Sequence, residues 1–178
     1  VCGKKKEVIN KVMIMGGSRI AKRLVKMSEG KYEFKIIEFD KKRSVELAYD
    51  LPECKIVHGD GRENDLLRDE HIEDYDAFIA LSDSSETNIL GCLTAKEFGM
   101  KKTIAEVENI QFISEAEALN IGTIINKKLL ASSKIFQTLL DSDDSNAKCM
   151  ALAEAEVTEM VVKEGSKVTE APVKDLRL

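Results

Sequence analysis

Short apolar runs alternate with segments of helical periodicity along most of the chain. The runs are nearly continuous in apolar character and rich in Val and Ile, which is typical of strands buried on both faces of a parallel sheet. The pattern predicts strands over Lys11–Met15, Glu33–Phe39, Lys55–Val57, Ala77–Leu81, Thr103–Val107 and Thr123–Ile125.

Residues with capping chemistry mark the helices between these strands. A helix is expected to begin after Asp40, a good N-cap, and to end at Pro52; another begins at the cap Asp83 and ends at Gly99. The segment 64–68 is too short to assign. Because short strand–helix–strand connections favour right-handed crossovers, the pattern predicts an α/β fold with a doubly wound, Rossmann-like parallel sheet. Its cleft should lie where the strand order reverses.

The pattern changes after the sixth predicted strand. The periodicity predicts a further amphipathic helix over 127–140, and we expect 8–141 to form one domain. A polar, acidic linker is expected over 142–149, and the alternation after it predicts a β-hairpin that turns at Gly165. The piece 150–178 is too small to hold its own core, and the chain does not start with Met. We therefore expect a truncated second domain; the alternative is an extension packed on the first domain.

The stretch "VMIMGGSRIAKRLV" has the form of a glycine turn between a strand and a helix. In the dinucleotide fingerprint, Gly16 takes the place of the first glycine, Ser18 the second and Ala21 the third, and Gly17 adds backbone freedom. Ser18 puts a Cβ where pyrophosphate should approach, although its hydroxyl can donate a hydrogen bond. Because the helix N-terminus still offers free N–H groups, anion binding is expected, with Arg19 as a further positive charge.

An acidic residue stands where a ribose-binding carboxylate is expected. Glu38 ends the second predicted strand, 22 residues after Gly16. A carboxylate there favours NAD over NADP because it would repel a 2′-phosphate. The alternative is a solvated Glu at the end of a strand.

Composition argues against nucleic-acid binding, a membrane-spanning segment and a zinc site. The net charge of −5 gives no electrostatic footprint for nucleic acid, and no apolar run approaches the roughly 20 residues that span a bilayer. The four cysteines form no C-x-x-C pair, which argues against a zinc site, and Cys54 and Cys92 lie in apolar segments typical of core positions. The charged start lacks the apolar region of a signal peptide. Because the cysteines show no paired pattern, a reducing, cytoplasmic setting is expected.

Taken in order, five segments resemble the RCK domain family, also called TrkA-N: "MIMGGSRIAKRLV", "KIIEFDKKRS", "IVHGDGRENDLL", "DAFIALSDSSETNILGCLTAKEFG" and "KTIAEVEN". The resemblance runs from Val8 to about Leu140, and the tail is similar to the start of a TrkA-C subdomain. Within the family, the chain is most similar to the second N/C pair of the tandem regulatory subunits of Trk potassium-uptake systems.

The resemblance implies a cytosolic gating subunit that binds NAD(H) or ATP/ADP. Such a subunit lies on the inner face of the membrane through its potassium-transporter partner. The helix over 127–140 would pack against another subunit in a homodimer or larger ring. By position, the resemblance implies that the phosphates would contact Gly16, Gly17, Ser18, Arg19 and Ile20. The ribose would contact Glu38, and the adenine would lie against Asp60 and Gly61. The opposite wall of the cleft would be formed by Leu81, Ser82 and Asp83.

Two alternatives remain beside this resemblance: a small NAD-dependent oxidoreductase and an NAD-binding redox sensor. The oxidoreductase would need a proton-transfer group such as Tyr-x-x-x-Lys, and none of the tyrosines has Lys four residues on. A sensor that acts as a repressor would need a basic DNA-binding helix, and none is visible. The sequence therefore favours a binding and regulatory module.

Overall fold

A computed structural model describes residues 8–28, 30–139, 146–149, 156–159, 162, 165–169 and 172. The chain divides into two compact units, Val1–Asn126 and Lys127–Leu178. The division after Asn126 differs from the expected domain boundary at 141. In the part of the chain that the structure describes, no helix combines the length and apolar character needed to cross a bilayer.

The first unit is built on a six-stranded parallel sheet. Its strands are β1 Lys11–Met15, β2 Glu33–Glu38, β3 Lys55–His58, β4 Ala77–Ala80, β5 Lys102–Glu106 and β6 Thr123–Ile125. The order across the sheet is β3-β2-β1-β4-β5-β6, so that the direction of winding reverses between β1 and β4. The predicted doubly wound sheet and the six predicted strands are confirmed, with ends that shift by a residue.

Helices follow the strands, as the periodicity predicts. They are α1 Arg19–Met27, α2 Lys41–Asp50, α3 Asn64–Asp69, α4 Ser85–Glu97 and α5 Gln111–Ala118, with a short 3-10 turn at Ile72–Asp74 before β4. Asp40 caps α2 as predicted, its carboxylate accepting from the Arg43 N–H at 2.7 Å. The predicted cap of α4 is wrong: Ser84 takes that place, and its hydroxyl accepts from the Thr87 N–H at 3.1 Å.

The core of the first unit covers both faces of the sheet. β1 is buried along most of its length, which is the burial expected for a central parallel strand. On one face, β1 and β2 pack against α1 and α2; this cluster contains Val12, Ile14, Ala21, Val25, Phe34, Ile36 and Leu47. The parallel pairing of β1 with β4 places their carboxyl ends side by side, which fixes the position of the cleft described below.

The second unit begins with α6, Lys127–Leu139, and contains an antiparallel pair of strands. Strand β7, Asn146–Cys149, pairs with β8, Glu156–Glu159, and a short 3-10 turn covers Lys167–Thr169. The expected linker over 142–149 is therefore wrong for its second half, which is a strand. The predicted hairpin at Gly165 is also wrong. Although Gly165 lies in a turn with φ of +84°, the partner of β8 precedes it in the chain.

Candidate functional site

A cleft of about 400 Å³ opens at the carboxyl ends of the strands, where the strand order reverses. Open α/β sheets bind ligands at this position because the loops on either side of the reversal diverge. The cleft is lined by the loops after β1, β2, β3 and β4 and by the first turns of α2 and α4, with residues Met15, Gly16, Gly17, Ser18, Ile37, Glu38, Phe39, Asp40, Arg43, Gly59, Asp60, Gly61, Arg62, Leu81, Ser82, Asp83, Ser84 and Thr87.

The floor of the cleft is the glycine turn that the sequence predicts. Gly16 has φ of +95° and donates its N–H to the Ile37 carbonyl at 2.8 Å, which continues the pairing of β1 with β2. A Cβ at Gly16 would lie 2.7 Å from the Ser82 nitrogen. Only glycine allows both this backbone conformation and this close approach to the loop after β4.

Glu38 is buried and is bound to the glycine turn. Its side chain is 4% exposed, and its Oε2 accepts from the Gly17 N–H at 2.6 Å. The other oxygen, Oε1, accepts from the Asp40 N–H at 2.8 Å. A solvated glutamate at the end of a strand is therefore ruled out. Each oxygen still has a lone pair with which it could accept from a ligand hydroxyl.

Ser18 has a local role that the fingerprint comparison did not reveal. It is the N-cap of α1, and its hydroxyl accepts from the Ala21 N–H at 3.3 Å. The N–H groups of Arg19 and Ile20, at the first two helical positions, have no acceptor within the helix. Neither Arg19 nor Ile20 lines the cleft. The contribution of Arg19 and Ile20 to binding therefore stays a prediction, which their N–H groups at the helix N-terminus support.

The opposite wall of the cleft is held by Asn88, a residue to which sequence reasoning gave no role. Asn88 is 1% exposed, and its Oδ1 accepts from the Ser82 N–H at 2.8 Å and from the Ser82 hydroxyl at 2.7 Å. Its Nδ2 donates to the carbonyls of Ser82 at 3.0 Å and of Glu106 at 2.8 Å. These bonds fix the loop after β4 against the end of β5. The only signal in the sequence was its place in the "ETN" segment.

The loop after β3 forms a third wall. Arg62 pairs with Asp60 in a fork, Nε to Oδ1 at 3.0 Å and Nη2 to Oδ2 at 2.6 Å. The hydrogen bond from Arg62 lowers the pKa of Asp60 below its ordinary value, so this carboxylate is charged at neutral pH.

Met15 anchors two parts of the structure at the base of the cleft. A Cβ at Gly61 would lie 2.5 Å from the Met15 Cγ, and a Cβ at Gly91 in α4 would lie 2.5 Å from its Cε. The Met15 side chain thus fills the space beside both glycines and touches the loop after β3 as well as α4.

An ion pair between described residues joins two walls of the cleft. Arg43, in the first turn of α2, approaches Asp83 in the loop after β4, with 3.5 Å between Nη1 and Oδ2. The side chains of Arg43 and Asp83 are 48% and 83% exposed. The pair is therefore solvated and weak.

The structure brings most of the expected site residues together. Nine of them line the cleft: Gly16, Gly17, Ser18, Glu38, Asp60, Gly61, Leu81, Ser82 and Asp83. Sequence reasoning missed the two cationic side chains of the cleft, Arg43 and Arg62. Neither belongs to a glycine or acid signature, and only the folded chain places them beside the glycine turn.

The described residues that line the cleft include no Tyr, His, Lys or Cys. The lining does hold other groups that can transfer protons or act as nucleophiles, namely the carboxylates and serines Glu38, Asp40, Asp60, Asp83, Ser18, Ser82 and Ser84. Cys54 and Cys92 are buried elsewhere, and burial raises the pKa of their thiols to about 11 and about 12. Both thiols are protonated and unreactive at neutral pH.

Comparison with known proteins gives the family of this chain. The chain is 32% identical over 151 residues to the Trk system potassium uptake protein TrkA of Haemophilus influenzae, covering 85% of this chain but 33% of that protein. Solved structures also share the fold. One, described as the GsuK channel bound to NAD, has a TM-score of 0.63 and 16% identity, covering 74% of this chain and 24% of that one.

Another, described as GsuK bound to ADP, has a TM-score of 0.59 and 18% identity, covering 67% of this chain and 32% of that one. At such identities these two structures establish the fold alone. The family itself is established by the TrkA-N domain, which matches residues 12–127 and so takes in the whole cleft. This chain belongs to the TrkA-N domain family.

Proposed function

We propose that the cleft binds a nucleotide with an unmodified ribose, NAD(H) or ATP/ADP. The observation that carries this proposal is the bond between Glu38 and the glycine turn at the point where the strand order reverses. This bond sets a buried carboxylate beside a helix N-terminus. A carboxylate accepts from ribose hydroxyls, and a helix N-terminus attracts phosphate, so the two parts of a nucleotide find complementary partners a few ångströms apart.

The size and lining of the cleft are consistent with this ligand class. About 400 Å³ lies within the range of small-molecule and cofactor sites. Asp60 and Gly61, on the loop after β3, stand where the adenine would lie, and Leu81, Ser82 and Asp83 form the facing wall. The solved structures with NAD and with ADP support both ligands equally, so the proposal keeps both.

A matched pair of ligands tests the position of the ribose. Isothermal titration calorimetry should show ADP binding about tenfold or more tightly than 2′-deoxy-ADP, because the missing hydroxyl removes a charge-assisted hydrogen bond to Glu38 worth roughly 1.5–3 kcal/mol. NAD should likewise bind more tightly than NADP, whose 2′-phosphate meets the Glu38 carboxylate. Equal affinities within each pair would refute the placement of Glu38, and no binding of any of the four would refute a nucleotide site.

We also propose that the chain is the nucleotide-sensing part of a regulatory subunit of a potassium-uptake transporter. The names of its relatives support this role, although the chain spans only 33% of the Haemophilus protein. Such a subunit would work in the cytoplasm, at the inner membrane face, bound to its transporter. Mixed with NADH and a panel of carbonyl compounds, the protein should oxidise no NADH; saturable turnover would overturn the regulatory assignment.

Helix α6 supports a further part of this proposal, namely assembly with a second copy. Its exposed apolar side chains include Ile135, Phe136 and Leu139, which are 61%, 41% and 76% exposed. Leu140, which was expected in the same stripe, lies outside the described residues. A homodimer or larger ring formed through this helix would remove these apolar side chains from water.

A further inference from the structure

The two arginines of the cleft are held in different ways. The Arg62 guanidinium is fixed by the two-point fork with Asp60. Among the described residues, the Arg43 guanidinium donates to Asp83, and the 3.5 Å between Nη1 and Oδ2 is at the outer limit of a hydrogen bond. A ligand in the cleft can therefore bind the Arg43 guanidinium with little loss of free energy, because the ion pair that it replaces is weak.

Most carboxylates of the cleft are engaged by partners that a ligand need not displace. Glu38 accepts two backbone N–H groups, Asp40 caps α2, and Asp60 is paired with Arg62. Asp83 differs because its carboxylate faces Arg43 across the cleft in a long, exposed ion pair. An anionic ligand that approaches Arg43 therefore meets Asp83 as the carboxylate with which it must compete.

The strand order places Arg43 and Asp83 on either side of the glycine turn. Arg43 follows β2, Asp83 follows β4, and β1 with its glycine turn lies between those two strands. A phosphate held at the N-terminus of α1 would therefore lie between the two walls that the ion pair connects. We propose that Arg43 is a phosphate-binding residue of this cleft and that Asp83 is its built-in competitor, which occupies Arg43 until a nucleotide phosphate displaces it.

This inference rests on the proposed nucleotide site and adds a rule for ligand preference. Phosphate oxygens bind a guanidinium in a fork, and the terminal phosphate of AMP or ADP carries more negative charge than one carboxylate, so it wins the exchange. Each added phosphate strengthens the competition against Asp83, whereas a neutral nucleoside cannot compete. The Arg43–Asp83 pair therefore favours ligands with more negative charge on their phosphates, whatever their base and ribose.

A double-mutant cycle read against three ligands tests the exchange. Affinities of ADP, AMP and adenosine are measured by calorimetry for the wild-type chain, Asp83→Asn, Arg43→Gln and the double variant. Asp83→Asn should tighten ADP about two- to fivefold, and Arg43→Gln should weaken it about tenfold. Neither variant should change adenosine affinity, and the gain from Asp83→Asn should shrink in the Arg43→Gln background.

The matched control is Glu33→Gln, which breaks the exposed ion pair of Glu33 with Lys55, 2.7 Å long, at the start of β2 and outside the cleft. This control should leave all three affinities unchanged. The exchange is wrong if Asp83→Asn tightens adenosine as much as ADP, if its gain persists in full without Arg43, or if Arg43→Gln leaves ADP unchanged. Failure of the wild-type chain to bind ADP and AMP would overturn this inference, and failure to bind NAD as well would overturn the nucleotide site itself.

Discussion

At Gly16 the chain leaves β1 with φ of +95°, and the position that a Cβ would occupy lies 2.7 Å from a backbone nitrogen of the next wall. Gly30 also has a positive φ, +74°, but a Cβ there would meet nothing within 4 Å. A side chain at Gly30 would therefore cause backbone strain alone, whereas a side chain at Gly16 would cause both strain and a steric clash. Since the Ser82 backbone is fixed by Asn88, it cannot move aside cheaply.

Substitution by alanine at these two positions should give unequal losses of stability. We expect Gly30→Ala to lower the free energy of unfolding by about 1 kcal/mol through strain, and Gly16→Ala by about 3 kcal/mol or more through strain and clash. Urea denaturation of both variants measures the difference. Equal losses would mean that the contact with Ser82 imposes no constraint.

The role of a single residue could be predicted from the sequence where it depends only on nearby residues or on a fixed spacing along the chain. Asp40 was assigned as a cap on this basis, and Glu38 was assigned to the cleft by its distance from Gly16 along the chain. The fork of Arg62 with Asp60 and the four bonds of Asn88 were not predicted, because they depend on loop geometry and on contacts between distant strands.

At the level of elements, the cap of α4 shows how adjacent candidates compete. Asp83 and Ser84 are both good capping residues, and the sequence alone favoured Asp83. In the folded chain Ser84 accepts the Thr87 N–H, while Asp83 turns toward Arg43. We expect Ser84→Ala to lower stability by about 1 kcal/mol and Asp83→Ala to change it by less than about 0.5 kcal/mol. A larger loss for Asp83→Ala in urea denaturation would contradict this assignment.

The sheet of the first unit followed from the sequence, but the strand pair of the second did not. Buried parallel strands are recognisable one at a time, because each is an apolar run between helical patterns. The partner of β8 is "NAKC", a strand inside a polar run that composition indicates as a linker. Strand pairing is a long-range choice, so alternation before Gly165 could not reveal on which side the partner lies.

At the scale of the whole molecule, several carboxyl groups link stability to pH. Hydrogen bonds from Lys55, Lys22, Arg62 and the Lys11 N–H are the largest causes that lower the pKa of Glu33, Asp50, Asp60 and Asp76 respectively. A carboxyl group whose pKa is lower in the folded state stabilises the fold above its unfolded pKa, near 4. This contribution is lost as the pH falls through the folded pKa.

The midpoint of urea denaturation should therefore fall steeply below about pH 4. Asp76→Asn is the informative variant. Asp76 Oδ2 accepts from the Asn10 and Lys11 N–H groups at 2.8 and 2.9 Å, and an amide oxygen can accept both without titrating. We expect a shallower decline in this variant. An unchanged slope would show that Asp76 does not contribute to acid unfolding.

A second property of the whole molecule is its assembly, which we expect helix α6 to control. If the helix joins two copies, the wild-type chain should be at least a dimer by light scattering, and Ile135→Asp with Phe136→Asp should give monomers that still bind nucleotide. The control is Val45→Asp, an exposed apolar residue of α2, which should leave the mass unchanged. A monomeric wild-type chain at tens of micromolar would contradict the proposed assembly.

The packing of Met15 against two glycines has an evolutionary consequence. Because one side chain fills the space beside Gly61 and Gly91, neither glycine can acquire a methyl group while Met15 keeps its size and place. A smaller residue at position 15 would release both glycines at once and leave a void that a methyl group from either could fill. Positions 15, 61 and 91 should therefore have diverged together among descendants of a common ancestor, although they are far apart in the chain.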